Sequence, residues 1–273
     1  HHPHAAVNAA PAWVTAVRAQ AQRPPRVPRL PLWVAGQAVG SVEPGVLDQI
    51  ASKGLLDKRY KLLKDEQSGW SLHVFGDATP ALNALAQALR AQGRCGPWRN
   101  EQLAVCDAQG RRIGTIERGA VRPLGLATQA VHLVARAPDG RMWVQLRAFN
   151  KPNNPGQWDT LMGGMVSAAD TLPQALARET WEEAGLRVDA LHGVAHGGHV
   201  QLAVPSEEAH GCGYMVERID WFHATVPDGM VPQNQDGEVE RFELLAPEAL
   251  LERLAHGAFT PEATLVLAAA LGW

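Results

Sequence analysis

A chain of 273 residues is longer than one typical domain and predicts one large or two modest domains. Its 46% hydrophobic and 19% charged residues describe a globular protein with a sizeable core. A formal net charge of −3 and the lack of any basic run argue against a nucleic-acid partner. No apolar stretch is long enough to span a membrane, and the opening HHPHAAVNAA lacks the apolar core of a signal peptide. Cys95, Cys106 and Cys212 are odd in number and widely spaced, so they outline no disulfide framework, and a reducing, cytoplasmic location is expected. His1, His2 and His4 are given no function.

Taken in order, residues 5–22 have alanine-rich helical character, with Trp13, Val14 and Val17 on the buried face. The prolines of 23–31 make a linker. Residues 32–42 predict strand–turn–strand, 46–54 a short helix stopped by Gly54, and 60–63 and 70–75 two strands. Thr79-Pro80 opens a helix to residue 91, carried by Leu82, Leu85 and Leu89 and stopped by Gly93. Residues 102–107 and 112–117 pair across the turn Ala108-Gln109-Gly110. A boundary near residue 120 leaves three units: a helix and linker over 1–31, a small α+β domain over 32–120 with no catalytic constellation, and a second domain over 121–273.

The second domain starts with a hairpin, 127–136 and 142–147, around Pro138-Asp139-Gly140. A loop over 150–156 leads through 158–162 into the segment GMVSAADTLPQALARETWEEAGL, residues 164–186. Strand segments over 188–204, a loop over 204–213 and a long strand over 214–225 follow. A polar stretch over 227–236, a strand over 238–245, a helix from Ala246-Pro247 to residue 256 and a last helix over 262–271, capped by Thr260-Pro261, complete the chain.

Within 164–186, residues 172–184 predict a helix. Thr171 is its N-cap with Gln174 as capping-box partner, Pro173 lies in the first turn and Gly185 ends it. Leu172, Leu176, Thr180 and Ala184 form a narrow stripe on one face. Glu179, Glu182 and Glu183, at i, i+3 and i+4, share another. Three such carboxylates repel one another, and a hard divalent cation with oxygen ligands compensates them. Arg178 can fix a carboxylate through its planar fork. A bare E-x-x-E-E would read as a solvated helix face, but the wider spacing carries more information.

That spacing, with Gly164, Arg178, Glu179, Glu182, Glu183, Gly185 and Leu186 in place, resembles the signature of the Nudix hydrolases. Asp170 departs from the family's glutamate and Thr180 from its aliphatic position. The resemblance implies an α+β fold, an α/β/α sandwich around a mixed sheet, and hydrolysis of a small-molecule diphosphate. It implies Mg²⁺, with Mn²⁺ as a substitute, on Glu179, Glu182, Glu183 and the carbonyl of Gly163, with Arg178 and Asp170 as supports. A homodimer is the assembly often met in the family.

Arg147 and Lys151, ahead of the box, are candidate phosphate contacts, each equally readable as a solvated loop charge. Glu238, at the end of the polar stretch, is a candidate late carboxylate, and the general base stays open between Glu179 and Glu238. His196, His199, His210 and Cys212 are too sparse for a zinc site, and most of the nine tryptophans read as core. Outside the box, the segments 98–101, 116–118, 151–159, 236–240 and 259–261 resemble a Nudix branch with an N-terminal extension, related to the Nudix part of fungal thiamine pyrophosphokinase proteins. This second likeness implies thiamine diphosphate, or its oxidised and damaged analogues, as substrate, with the monophosphate and phosphate as products. ADP-ribose or NADH is the alternative. A silent ligand-binding module and an RNA-cap enzyme rank below both, because the box carboxylates are intact and no basic surface is evident.

Overall fold

A computed structural model describes residues 9–273. His1, His2 and His4, and the first four residues of the helix expected over 5–22, lie outside the described residues. The elements in chain order are α1 (Ala12–Gln20), β1 (Leu30–Val34), β2 (Gln37–Val42), α2 (Pro44–Ser52), β3 (Tyr60–Asp65), β4 (Gly69–Val74), α3 (Ala78–Ala91), β5 (Gln102–Cys106) and β6 (Arg112–Glu117). They continue with β7 (Ala127–Arg136), β8 (Met142–Arg147), β9 (Trp158–Thr160), β10 (Met162–Met165), α4 (Leu172–Ala184), β11 (His192–Ser206), β12 (Gly213–Thr225), β13 (Val239–Leu245), α5 (Pro247–Ala255) and α6 (Pro261–Ala270). No helix among the described residues is long and apolar enough to cross a membrane.

Three sheets organise these elements. The first runs β2-β1-β4-β3, and β5 and β6 form a separate hairpin. The largest runs β11-β12-β7-β8-β13, with β10 added to β7 and β9 to β8. It is mixed: β7 runs parallel to β12 and antiparallel to β8 and β10.

Alternation along β7 explains the layering, because successive side chains of a strand face opposite sides. Val131, Leu133 and Ala135 join the cluster that contains Ala175, Leu176 and Ala184 of α4. Ala130 and Val134 join the cluster that contains Ala263, Val266 and Leu267 of α6. The large sheet therefore lies between α4 and α6. A third cluster, from Leu32 to Leu126, fills the region of the first sheet and takes in Ala209 and Cys212. Trp13 and Val17 of α1 pack against the α6 side, and Gln22 bridges to Ala203 of β11.

Trp13, Trp98, Trp143, Trp158 and Trp221 pack against the core clusters, as the sequence reading expects of most tryptophans, but from partly exposed positions, and none is fully buried. Their large rings carry a polar edge, and several serve as platforms for arginine: Arg90 lies 4.3 Å from the Trp98 centroid, Arg253 4.5 Å from Trp158 and Arg187 5.0 Å from Trp181.

Candidate active site

Helix α4 begins and ends where its local chemistry dictates. Thr171 and Gln174 close a reciprocal capping box, and Gly185 ends the helix in the left-handed region at φ 63°. Ala175, Leu176, Thr180 and Ala184 are buried against the sheet, which leaves Arg178, Glu179, Glu182 and Glu183 to face a cleft. Thr180 is fully buried and its hydroxyl has no hydrogen-bond partner among the described residues. The strand β10 brings Gly163 and Gly164 to the same place. A Cβ on Gly164 would fall 1.8 Å from Glu179 Oε2, so only glycine leaves room for that carboxylate.

Glu183 is only 6% exposed. Gln145 Nε2 donates to its Oε1 at 3.0 Å, and the Gly163 N–H donates to the same oxygen at 3.3 Å. Burial pushes the Glu183 carboxyl well above the ordinary range, and the neighbouring Glu179 adds to the shift. Glu179 is raised as well, by burial and by the Glu182 charge, against the opposing pull of Arg178. Arg178 Nη2 binds Asp170 at 2.5 Å, and its Nη1 reaches Glu179 at 2.5 Å and Glu182 at 3.5 Å. Burial would depress the guanidinium, but the Asp170 hydrogen bond and the Glu179 charge outweigh it and hold Arg178 above its ordinary value. Asp170, although partly buried, is held below its ordinary value by hydrogen bonds from Arg178 and Ser167. The shorter aspartate thus keeps the supporting contact. Glu182 is the outlier of the three, with a side chain 46% exposed.

The cleft has a volume of about 930 Å³ and is lined by Arg147, Lys151, Gly163, Arg178, Glu179, Glu182, Glu183 and Glu238, whereas Asp170 stands behind Arg178. Lys151 Nζ lies 3.2 Å from Glu238 Oε2, and Arg99 Nη1 lies 3.8 Å from Glu238 Oε1. Arg147 donates to the carbonyls of Asn153 and Asn154 and stands 3.6 Å from Asp159. Both candidate phosphate contacts line the cleft but already have partners, Arg147 in the adjoining loop and Lys151 on Glu238 across from it.

The region before residue 120, read as free of catalytic features, also reaches this cleft through Arg99, Glu101 and Arg118. Glu117, only 2% exposed, organises them: its carboxylate accepts from the N–H groups of Arg99, Glu101 and Gly119. Sequence reading also missed Gln145, His132, Glu217 and Glu262, which line the cleft from β8, β7, β12 and α6. None stands in a recognisable spacing.

The donor set suits a hard divalent ion. The buried Glu183 and the half-buried Glu179 crowd each other, Arg178 offsets only Glu179 of the two, and Mg²⁺ and Mn²⁺ prefer such oxygen ligands. Among the described residues no three histidine, cysteine or acidic side chains converge as a ready-made cage. A metal here would rest on Glu179 and Glu183, with the Gly163 carbonyl beside them and Glu182 one turn away. His196 belongs elsewhere: its Nε2 is 2.8 Å from Asp220 Oδ1, in a network with Arg218 and Gln129.

Capped acidic helix, glycine-lined strand and mixed sheet together are matched by the NUDIX domain model over residues 126–264, and the chain belongs to the Nudix family. It is 36% identical over 87 residues to an uncharacterized Nudix hydrolase of Pseudomonas aeruginosa, covering 32% of this chain and 52% of that protein's length. It is 32% identical over 179 residues to an isopentenyl-diphosphate Delta-isomerase of Leifsonia xyli, covering 62% of this chain and 90% of that protein. Among solved structures, a Deinococcus radiodurans protein shares the fold with a TM-score of 0.50 at 21% identity, covering 63% of this chain and 100% of that one.

Proposed function

We propose that this protein is a divalent-metal-dependent hydrolase of diphosphate linkages, acting on thiamine diphosphate or its oxidised and damaged analogues. The observation that carries the chemistry is the Glu179–Glu183 pair, facing a large cleft whose rim holds Arg99, Arg118 and Lys151. A bound Mg²⁺ or Mn²⁺ neutralises diphosphate charge, polarises a phosphorus–oxygen bond and makes water more acidic. The residues do the rest. Glu179, Glu182, Glu183 and the Gly163 carbonyl hold the ion, and Gln145 and Arg178 fix the orientation of the carboxylates. Arg147 and Lys151 exchange their present partners for substrate phosphate oxygens. Glu179 or Glu238 takes the proton of the attacking water, whose oxygen joins the terminal phosphorus as the bridging oxygen leaves on the monophosphate.

The thiamine reading rests on likeness. It is supported by where the branch-like segments fall, since Arg99, Arg118, Lys151, Asp159, Asp236, Glu238 and Thr260 all border this one cleft. ADP-ribose and NADH remain the alternative. The Leifsonia xyli relative adds isopentenyl diphosphate to the compounds worth testing. A homodimer is the proposed assembly.

The test is a panel of thiamine diphosphate, its oxo analogue, ADP-ribose, NADH and isopentenyl diphosphate, with and without Mg²⁺. Released phosphate and released nucleoside monophosphate are both measured. Metal-dependent phosphate release from the thiamine compounds is expected. Cleavage confined to the adenine compounds would overturn the substrate and keep the chemistry. Inactivity on every compound would count against hydrolysis.

A further inference from the structure

The cleft wall opposite α4 is assembled on the sheet face under α6, and its polar groups form a separate set. His132 and Glu217 are 4% and 6% exposed and both line the cleft. The Thr160 hydroxyl donates to the Met162 carbonyl at 2.9 Å, so towards His132 Nδ1, 2.8 Å away, it accepts. His132 thus carries its proton on Nδ1. Burial holds the ring below its ordinary pKa, so it is neutral, and Nε2 is left as an acceptor with no partner among the described residues. Glu217 spends Oε2 on Arg122 and Thr128, while Oε1 receives no hydrogen bond from the described residues.

Glu262 completes this wall. Reciprocal backbone bonds, Trp158 N–H to Ala258 O at 2.9 Å and Thr260 N–H to Trp158 O at 2.9 Å, pin the start of α6 beside β9. The Thr260 hydroxyl caps the helix by accepting from the Ala263 N–H at 3.1 Å. Glu262 in the first turn is thereby held over the cleft. Two neighbouring acids have counter-cations, Glu217 with Arg122 at 2.9 Å and Asp159 with Arg147 at 3.6 Å. Glu262 has none among the described residues, and its carboxyl accepts only from its own N–H. Burial and the Glu217 and Asp159 charges push it up to about 7.

We infer that Glu262, with the free acceptor atoms of His132 and Glu217, forms the specificity wall for the non-phosphate head of the substrate and selects a cationic or amino-bearing heterocycle over a hydrocarbon. This rests on the proposed diphosphate chemistry only for the other end of the ligand. An apolar head would cover these three acceptors and leave them unpaired, whereas a ring bearing donors or positive charge satisfies them. Glu262 is thus a binding residue, not a member of the box.

The test is calorimetric titration of wild type, E262Q and Glu262→Asp with thiamine monophosphate, and separately with inorganic diphosphate in Mg²⁺. The expected result is a loss of about tenfold or more in thiamine monophosphate affinity for E262Q, partly recovered by Glu262→Asp. Inorganic diphosphate affinity should stay within about twofold, which also shows that the variants are folded. Equal thiamine monophosphate affinity in wild type and E262Q would overturn the inference, as would an equal loss for both ligands. Failure of the hydrolase reading looks different: no diphosphate is turned over, yet thiamine monophosphate binding still depends on Glu262.

Discussion

Glu183 and Glu217 are equally buried, each 6% exposed, and both border the same cleft, but one faces a second acid and the other a cation. Arg122 lies 2.9 Å from Glu217, and Thr128 donates to the same carboxylate oxygen. Among the described residues Glu183 has only the neutral donors Gln145 and the Gly163 N–H, while Glu179 crowds it with like charge. The charge of Glu217 is therefore balanced within the fold, and only its Oε1 is left free towards the cleft. Of Glu179 and Glu183, Arg178 offsets Glu179 alone, so the pair keeps an excess of negative charge that a shared proton or an added cation relieves. A buried acid matched by an arginine has its charge settled by the fold; a buried acid crowded by another acid does not.

The largest expected effect comes from removing the charge of the unmatched acid. Glu183→Gln should lower turnover by about a thousandfold or more, while thermal unfolding shows no loss of stability, because a neutral amide relieves the repulsion. Near wild-type activity at saturating Mg²⁺ would sink the assigned role. The more exposed Glu182, replaced by glutamine, should also lose turnover by orders of magnitude in the same assay.

The matched acid should behave in the opposite way. Arg122→Met leaves Glu217 buried without its cation and should cost about 3–5 kcal/mol in urea denaturation. Adding Glu217→Leu should restore most of that loss, since the pair then disappears together. A single variant as stable as wild type would show that Glu217 finds compensation elsewhere.

Glu262 sharpens the comparison through pH. Its carboxyl is raised to about 7 in the folded chain, from an ordinary value of 4.5. The folded state then holds a proton that the unfolded state has released between these values, so stability falls as pH rises through this window. The contribution is complete below about pH 4.5 and lost above about 7. Relative to E262Q, wild type should lose on the order of 2 kcal/mol between pH 5 and pH 8. A pH-independent difference would contradict the shift. The smallest effect is at Thr180, whose buried hydroxyl is unpartnered among the described residues. Thr180→Val should stabilise the chain by up to about 1 kcal/mol, read as a raised melting temperature.

How much of this was legible in sequence follows from distance along the chain. The caps of α4, its buried stripe and the face shared by Glu179, Glu182 and Glu183 are settled within one helix, so spacing alone reveals them. Gln145 reaches Glu183 across 38 positions and Arg122 reaches Glu217 across 95, through the pairing of β7, β8 and β12. No local pattern encodes such contacts, and a lone glutamate in the first turn of α6 looks like ordinary helix-dipole chemistry. The N-terminal region, where no catalytic constellation is visible in sequence, is opaque for the same reason. Glu117 gathers Arg99, Glu101 and Gly119 from both sides of a hairpin, and only the folded loop shows that Arg99 and Arg118 face the cleft.

The proposed divalent ion would rest on the Glu179–Glu183 pair, and that placement is the centre of the account. It is tested most directly by titrating Mn²⁺ into wild type and Glu183→Gln and following the free ion by electron paramagnetic resonance. The account predicts saturable binding to wild type that releases protons and strengthens as pH rises, and binding at least about tenfold weaker in the variant. Equal Mn²⁺ affinity in the two proteins would place the metal elsewhere and contradict the account.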